Sequence, residues 1–256
     1  MENPSTDTAI SLQGFIPVRK EPRERAEMVT QVLFGEVADI LDEAGKWTFI
    51  RTRPDQYEGW IDNKCIERIK EIPKRKYIVT TGNMVIRNLT RGHNVILPIG
   101  SALPALHGQE FTLAGNTCQV ANEEVLTEPG KAELEKVFPE LISIPYLWGG
   151  RCGFGFDCSG LTQFLCRIGG TEIPRDAGDQ SAIGETLSFL NEARSGDLAF
   201  FDNAEGMIHH VGMITPDKRI IHASGMVRVD RIDQQGIFNE EIGAYTHKLR
   251  VIKRIR

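Results

Sequence analysis

Asp157-Cys-Ser-Gly-Leu-Thr-Gln-Phe-Leu-Cys-Arg-Ile-Gly-Gly170 is the stretch on which the fold turns. Asp157 is a good N-cap, because its carboxylate can accept from the open amides of a first helical turn. Leu161, Phe164, Leu165 and Ile168 follow at i, i+3, i+4 and i+7, the apolar stripe of an amphipathic helix. Gly169-Gly170 supplies the stop. Cys158 therefore falls in the first turn, where free N–H groups and the helix dipole converge. Both lower a thiol's pKa from about 8.5, so the position predicts a reactive thiolate. A cysteine can equally be a small buried apolar residue, and that reading is given to Cys65, Cys118 and Cys166.

Downstream of this helix the chain alternates like strands at 197–202, 207–215, 218–224, 226–231 and 247–255. One helix followed by a run of antiparallel strands is an α+β pattern. Upstream lies Pro145-Tyr-Leu-Trp-Gly-Gly150, a loop rich in special-backbone residues, and before it a helical run over 131–138 expected to end at Pro139. Residues 12–69 show short strands at 14–19, 28–34, 37–41 and 46–52, with another after the loop that ends at Tyr57-Glu-Gly-Trp60, which together suggest a small barrel. Lys70–Lys76 is a basic stretch that reads as a linker or a domain edge, and 77–125 carry a weaker signal for a second β unit. The expected domains are 1–70, 71–125 and 126–256.

Composition sets the outer bounds. The 256 residues carry 30 Lys+Arg against 35 Asp+Glu, a net charge of −5, and are 41% hydrophobic. That is ordinary globular composition. A mild acidic excess argues against non-specific nucleic-acid binding, and no apolar run approaches the roughly 20 residues that span a bilayer. The first residues hold no basic stretch followed by an apolar one, so the expected location is the cytoplasm unless a leader has been lost. Five irregularly spaced cysteines make a poor disulfide framework and fit a reducing compartment.

A thiolate nucleophile needs a base, usually a histidine held by a third polar group. His210 and His222 lie on adjacent predicted strands joined near Thr215-Pro-Asp-Lys218. An odd-length loop such as 215–217, centred on Pro216, places their Cβ atoms directly opposite, about 5 Å apart. A two-residue loop puts them on opposite faces. By alternation His209 points away from His210, so only one of the two can share a site with His222, and the neighbours alone do not choose. A cysteine on a helix start followed by a histidine on a strand is the order of papain-like cysteine hydrolases. Cys158, His209, His210 and His222 are also competent zinc ligands, but no His-x-x-x-His helix or Cys-x-x-Cys pair accompanies them. No metal or cofactor is expected.

Six short motifs occur in one order: Pro145-Tyr-Leu-Trp-Gly-Gly150, Asp157-Cys-Ser-Gly160, Ile173-Pro-Arg175, Gly196-Asp-Leu-Ala-Phe-Phe201, His210-Val-Gly-Met213 and Ile221-His-Ala-Ser224. Over 141–256 this series resembles the NlpC/P60 family of cysteine peptidases. Ile16-Pro-Val-Arg19 and Tyr57-Glu-Gly-Trp60 resemble a bacterial SH3 domain, and the middle of the chain weakly resembles a second one. The whole layout is similar to γ-D-glutamyl-L-diamino acid endopeptidases that act on cell-wall peptides. The implied fold is a papain-like α+β catalytic domain after one or two small SH3-like barrels.

The resemblance also implies roles. Cys158 is the nucleophile, His210 the general base, and His222 the residue that orients it; this settles the choice against His209. Tyr146 sits near the thiol and assists the oxyanion. Asp157 faces the substrate's free amine, and Trp148, Ser159, Arg175 and Asp176 line the cleft. Ala177 stands where relatives often carry Ser. Glu58 is the candidate contact for an amino-terminal L-Ala, against a plain reading as a solvated loop carboxylate. Trp47 and Trp60 are expected in the barrel core. The implied partner is a murein peptide, L-Ala-γ-D-Glu-diamino acid, with diaminopimelate or lysine third. The rival expectations are an amidase or acyltransferase on the same residues, a non-catalytic wall-binding SH3 protein, and a metal hydrolase.

Overall fold

The computed structural model describes residues 7–130 and 134–255. The chain divides into two compact units, Met1–Pro129 and Gly130–Arg256. Among its described residues the first is all β apart from a single 3-10 turn at Asn63–Cys65. A seven-stranded sheet runs in the order Met28–Leu33, Phe15–Arg19, Glu58–Asp62, Trp47–Thr52, Val37–Ala44, Thr8–Ser11, Ile66–Ile69. Ile16, Val18, Val32, Ala38, Ile50 and Ile61 fill one side of it, as the two-residue period of a strand requires. Trp47 is buried there, and Trp60 is half-buried against Phe49. The outer strands Thr8–Ser11 and Ile66–Ile69 lie beyond the expected ones.

Residues 77–127 form two further sheets. Asn83–Asn88, His93–Pro98, Glu110–Leu113 and Asn116–Val120 make one, and Tyr77–Val79, Ala102–Leu103 and Leu126–Thr127 the other. Ile10, Phe34 and Val37 from the first sheet share a core with Val79, Ile86, Leu97 and Phe111. Packing therefore joins the segments on either side of residue 70 into one unit. Leu126–Thr127 pairs with Ile78 and Val79, so the last unit begins four residues later than the expected 126.

The second unit is α+β, with SH3-like sheets preceding it, as expected. A helix at Leu134–Leu141 runs through Pro139 and ends two residues beyond it, instead of stopping at the proline. The Cys158–Ile168 helix is buried throughout. Gly170, at φ +92°, provides the left-handed exit that lets its amide return to the Arg167 carbonyl. A short helix at Ala177–Ala182 and strands at Glu185–Leu187 and Gly236–Asn239 had no clear pattern in the sequence.

Seven strands form an antiparallel sheet in the order Glu185–Leu187, Ala244–Arg254, Leu198–Asp202, Ile208–Ile214, Ile220–Ser224, Met226–Ile232, Gly236–Asn239. Gly236–Asn239 also pairs with Ala244–Arg254, which closes all but the Glu185–Leu187 strand into a ring. Ala199, Phe201, Ile214, Ile220, Ile237 and Ile252 pack together within it. The Cys158–Ile168 helix packs on the Ile208–Ile214 and Ile220–Ser224 strands.

Gly212 is opposite His222 in this sheet. A Cβ there would lie 2.7 Å from Ile220 Cδ1 and 2.9 Å from His222 Cβ, too close for either buried neighbour to stay in place. Gly212→Ala should cost about 1–3 kcal/mol, the usual range for overpacking, and should displace His222. Urea unfolding checks the first and histidine NMR shifts the second; a variant with wild-type stability and an unmoved His222 ring would contradict this packing.

Candidate active site

Asp157 organises the surroundings of Cys158. Its Oδ1 accepts from the Gly160 amide at 2.7 Å, which caps the helix as expected. Its Oδ2 accepts from the Gly149 amide at 2.8 Å. Arg175 donates to both oxygens, at 3.0 and 2.5 Å, and to Ser159 Oγ at 2.8 Å. Ser159 Oγ in turn lies 3.3 Å from Asp157 Oδ1. These groups are buried; the Arg175 side chain is only 1% exposed. Loop, helix and the Ile173–Arg175 segment are thus tied at one carboxylate. Gly160 permits the contact, because a Cβ there would sit 2.1 Å from the Gly150 carbonyl oxygen. Gln180 adds a second tie, donating to the Ser159 and Pro174 carbonyls and accepting from Thr162.

Cys158 occupies the first helical position and is 8% exposed. Burial pushes its thiol up to about 11, and the Asp157 carboxylate adds to this; the Val211 and Ser159 amides and Arg175 pull the other way. The expected resting thiolate is therefore corrected: desolvation outweighs the helix start, and the sulfur keeps its proton. Tyr146, half-buried beside Cys158, Asp157 and Arg175, has its hydroxyl raised to about 12, mainly by burial and then by the Cys158 and Asp157 charges.

His210 and His222 are both buried, and His210 Nε2 lies 2.9 Å from His222 Nδ1. The expected same-face relation holds, but the expected direct opposition does not. Gly212 pairs with His222 and Ile214 with Ile220, while Thr215 still pairs with Arg219. The loop is Pro216-Asp-Lys218, with Lys218 left-handed at φ +61°. Its centre falls on Asp217 rather than Pro216, so the histidines sit diagonally, with ring centroids 5.1 Å apart.

His209 is also corrected. Phe201 pairs with His210 and Asp202 with Ile208, so His209 is the extra residue of a β-bulge, and bulges re-aim side chains. Its exposed ring comes within 6.5 Å of His210 and stacks on His247 at 6.0 Å. His247 stacks on His210 at 4.1 Å. Burial, with the neighbouring imidazoles of His247, His222 and His209, drives His210 well below its ordinary pKa. Burial, then His222 and His209, lowers His247 to about 4. Among the described residues no group of three or more His, Cys, Asp or Glu is arranged to hold a metal ion.

Beyond the expected set, His222 Nε2 lies 3.0 Å from Asp230 Oδ2. Arg228 donates to Asp230 at 2.7 and 3.0 Å and to Glu241 at 3.1 Å. Asp230, Arg228 and His247 were missed. A signal existed for the first two: in the hairpin centred on Gly225, His222 pairs with Arg228 and Ile220 with Asp230, so all share one face. The remaining expected residues are more peripheral. Trp148 is 60% exposed. Asp176 is exposed at the start of the Ala177–Ala182 helix, and Ala177 follows it half-buried. Glu58 lies in the first unit, on a strand rather than in a loop, where it accepts from Arg51 at 2.8 and 2.5 Å.

Comparison with known proteins identifies the family. Residues 143–245 match the NlpC/P60 family, and residues 18–66 match the bacterial dipeptidyl-peptidase SH3 domain. A γ-D-glutamyl-L-lysine dipeptidyl-peptidase of Bacillus subtilis (strain 168) is 31% identical over 212 residues, covering 76% of this chain and 71% of that protein. The chain belongs to the NlpC/P60 family. It is a cysteine peptidase homologue of the γ-D-glutamyl-L-lysine dipeptidyl-peptidases. The Bacillus cereus protein of that name is 29% identical over 85% of this chain and 74% of its own length. The crystal structure of an NlpC/P60 family protein from Bacillus cereus superimposes with a TM-score of 0.82 at 20% identity, over 96% of this chain and 99% of the other.

Two outcomes follow for stability. Arg175→Met should cost about 3–5 kcal/mol, because it strands a buried carboxylate. Adding Asp157→Asn should recover part of that loss in urea titrations, and strict additivity of the two variants would contradict the clamp. His210 and His247 resist protonation, whereas unfolded histidines take a proton near 6.5; the fold therefore loses stability as pH drops from 6.5 toward 4. Cys158 resists ionisation from 9.0 up to about 11, so stability also falls as pH rises through that range. Denaturant midpoints should peak between these limits; a midpoint still rising below pH 6.5 would contradict the buried neutral imidazoles.

Proposed function

We propose that this NlpC/P60 peptidase cleaves the bond between γ-D-Glu and a diamino acid in short cell-wall peptides that begin with a free L-Ala. The observation that carries the proposal is the placement of Cys158 at a capped helix start beside strands that hold His210 hydrogen-bonded to His222. Homology to γ-D-glutamyl-L-lysine dipeptidyl-peptidases supplies the substrate class.

Chemistry starts from a neutral pair. His210 takes the Cys158 proton as the sulfur attacks the γ-carbonyl carbon. The oxyanion rests on the Cys158 backbone N–H, with the Tyr146 hydroxyl as second donor. Tyr146 suits this role, because its raised pKa keeps the phenol protonated. The tetrahedral intermediate collapses, the C–N bond breaks, and His210 gives its proton to the departing amine. A water, deprotonated by His210, then attacks the thioester; L-Ala-γ-D-Glu leaves and the thiol is restored.

The free ammonium of L-Ala needs carboxylates to replace its water. Asp157 already receives five donors, against about four lone-pair sites on a carboxylate. Reading that ammonium rejects intact wall, where the alanine nitrogen is acylated.

The test uses L-Ala-γ-D-Glu-L-Lys and its diaminopimelate counterpart, each with and without N-acetylation. Cys158→Ala should abolish turnover. Equal cleavage of acetylated and free peptides would remove the amine-reading role. Failure on all four peptides by a folded protein would remove the substrate assignment.

A further inference from the structure

We propose that Asp230, held by Arg228, is a positioning residue that fixes the order of protons along the His222–His210 pair and so leaves His210 Nδ1 bare to receive the Cys158 proton. Asp230 is 4% exposed, and its Oδ2 is shared between His222 Nε2 at 3.0 Å and Arg228 Nε at 2.7 Å. Arg228 Nη2 reaches Oδ1 at 3.0 Å. Burial alone would raise this carboxyl, but the hydrogen bonds from His222 and Arg228 outweigh it and hold it below the usual carboxylate range.

An ionised carboxylate can only accept. His222 must therefore donate from Nε2, and with one proton on the ring its Nδ1 is an acceptor. The atom 2.9 Å from that Nδ1 is His210 Nε2, which must donate in turn. With one proton on that ring as well, His210 Nδ1 carries a free lone pair. The proton order of both imidazoles is thus set from the far end of the chain, because Arg228, a pure donor, keeps Asp230 from carrying a proton of its own.

Charge points the same way. When His210 takes the thiol proton, a buried site gains a positive charge. His247 stacks on His210 and His209 on His247; burial and the imidazoles of His247, His222 and His209 all disfavour that charge. Asp230 offers the opposite sign, one imidazole away, while Arg228 is itself partly offset by Glu241. In serine proteases, neutralising an aspartate that touches the catalytic histidine directly costs about 10⁴. Asp230 acts through one more ring, at the remove where partners of a reactive centre are worth about 10–100-fold.

Proton order can be read in the wild-type protein without any turnover, and only the kinetic arm rests on the peptidase reading. In ¹⁵N-histidine spectra at neutral pH, assigned with His210→Gln and His222→Gln, both rings should be Nε2–H tautomers. A proton on Nδ1 of either ring would overturn the proposal. Asp230→Asn should slow iodoacetamide alkylation of Cys158 about 10–100-fold and lower the pH at which that rate responds to His210. It should lower kcat on the L-Ala peptide by a similar factor at unchanged KM, with Asp230→Glu recovering part. Unchanged alkylation in a folded Asp230→Asn protein would also overturn it. Should that variant fail to fold, the wild-type tautomers still decide. Correct tautomers in a protein that cleaves none of the peptides would remove the substrate reading and leave this one standing.

Discussion

The catalytic unit depends on one buried carboxylate. Asp157 caps the nucleophile's helix, holds the Gly149 amide and takes both nitrogens of Arg175. Three segments, loop, helix start and the stretch after the helix, meet there, and Cys158 is the next residue along the chain. Burying a charge is tolerable only when it is paired and its lone pairs are filled, and here both conditions are met. Rotation of the helix or retreat of the 145–150 loop would strip donors from the carboxylate. The position of Cys158 is therefore set in large part by electrostatic saturation at its neighbour.

The same burial decides the resting protonation state. A helix terminus is worth about 0.3–1 kcal/mol to a charge. Raising a thiol from 9.0 to about 11 corresponds to roughly 3 kcal/mol against the thiolate. Desolvation wins, and a depressed His210 offers no imidazolium to balance it. Such a site stores no reactive ion pair; in the proposed mechanism the thiol gives up its proton only as the sulfur attacks a substrate carbonyl. The proton's path to His210 then matters more than the thiol's acidity.

The sequence made much of this legible, for definable reasons. Local rules carried the Cys158–Ile168 helix, because cap, stripe and glycine stop agree over one short stretch. The same face for His210 and His222 followed from parity alone, which needs only an odd loop. What parity cannot supply is the centre of the hairpin. Lys218 adopts a left-handed conformation and Thr215 keeps pairing with Arg219, which moves the centre by one residue and the partner of His222 by two. Alternation misled at His209, since a bulge breaks the period it assumes. Asp230 and Arg228 were within reach of the same parity reasoning one hairpin further on. His247 was not, because its place depends on ring closure between strands far from the motif.

Ring closure also explains why so many imidazoles meet. Gly236 pairs with Lys248 at the seam, and a Cβ there would fall 1.7 Å from the His247 carbonyl oxygen. Glycine lets the last strand approach closely enough to complete the ring, which brings His247 over the face of His210. The stack covers the base with a flat, uncharged group that resists protonation down to about 4. A carboxylate in that place would attract a proton to His210 and favour the resting ion pair. An aliphatic side chain would exclude water without adding the repulsion between imidazoles. A second histidine keeps the ring dry and its pKa low, and so holds the base in the unprotonated state that a neutral thiol requires.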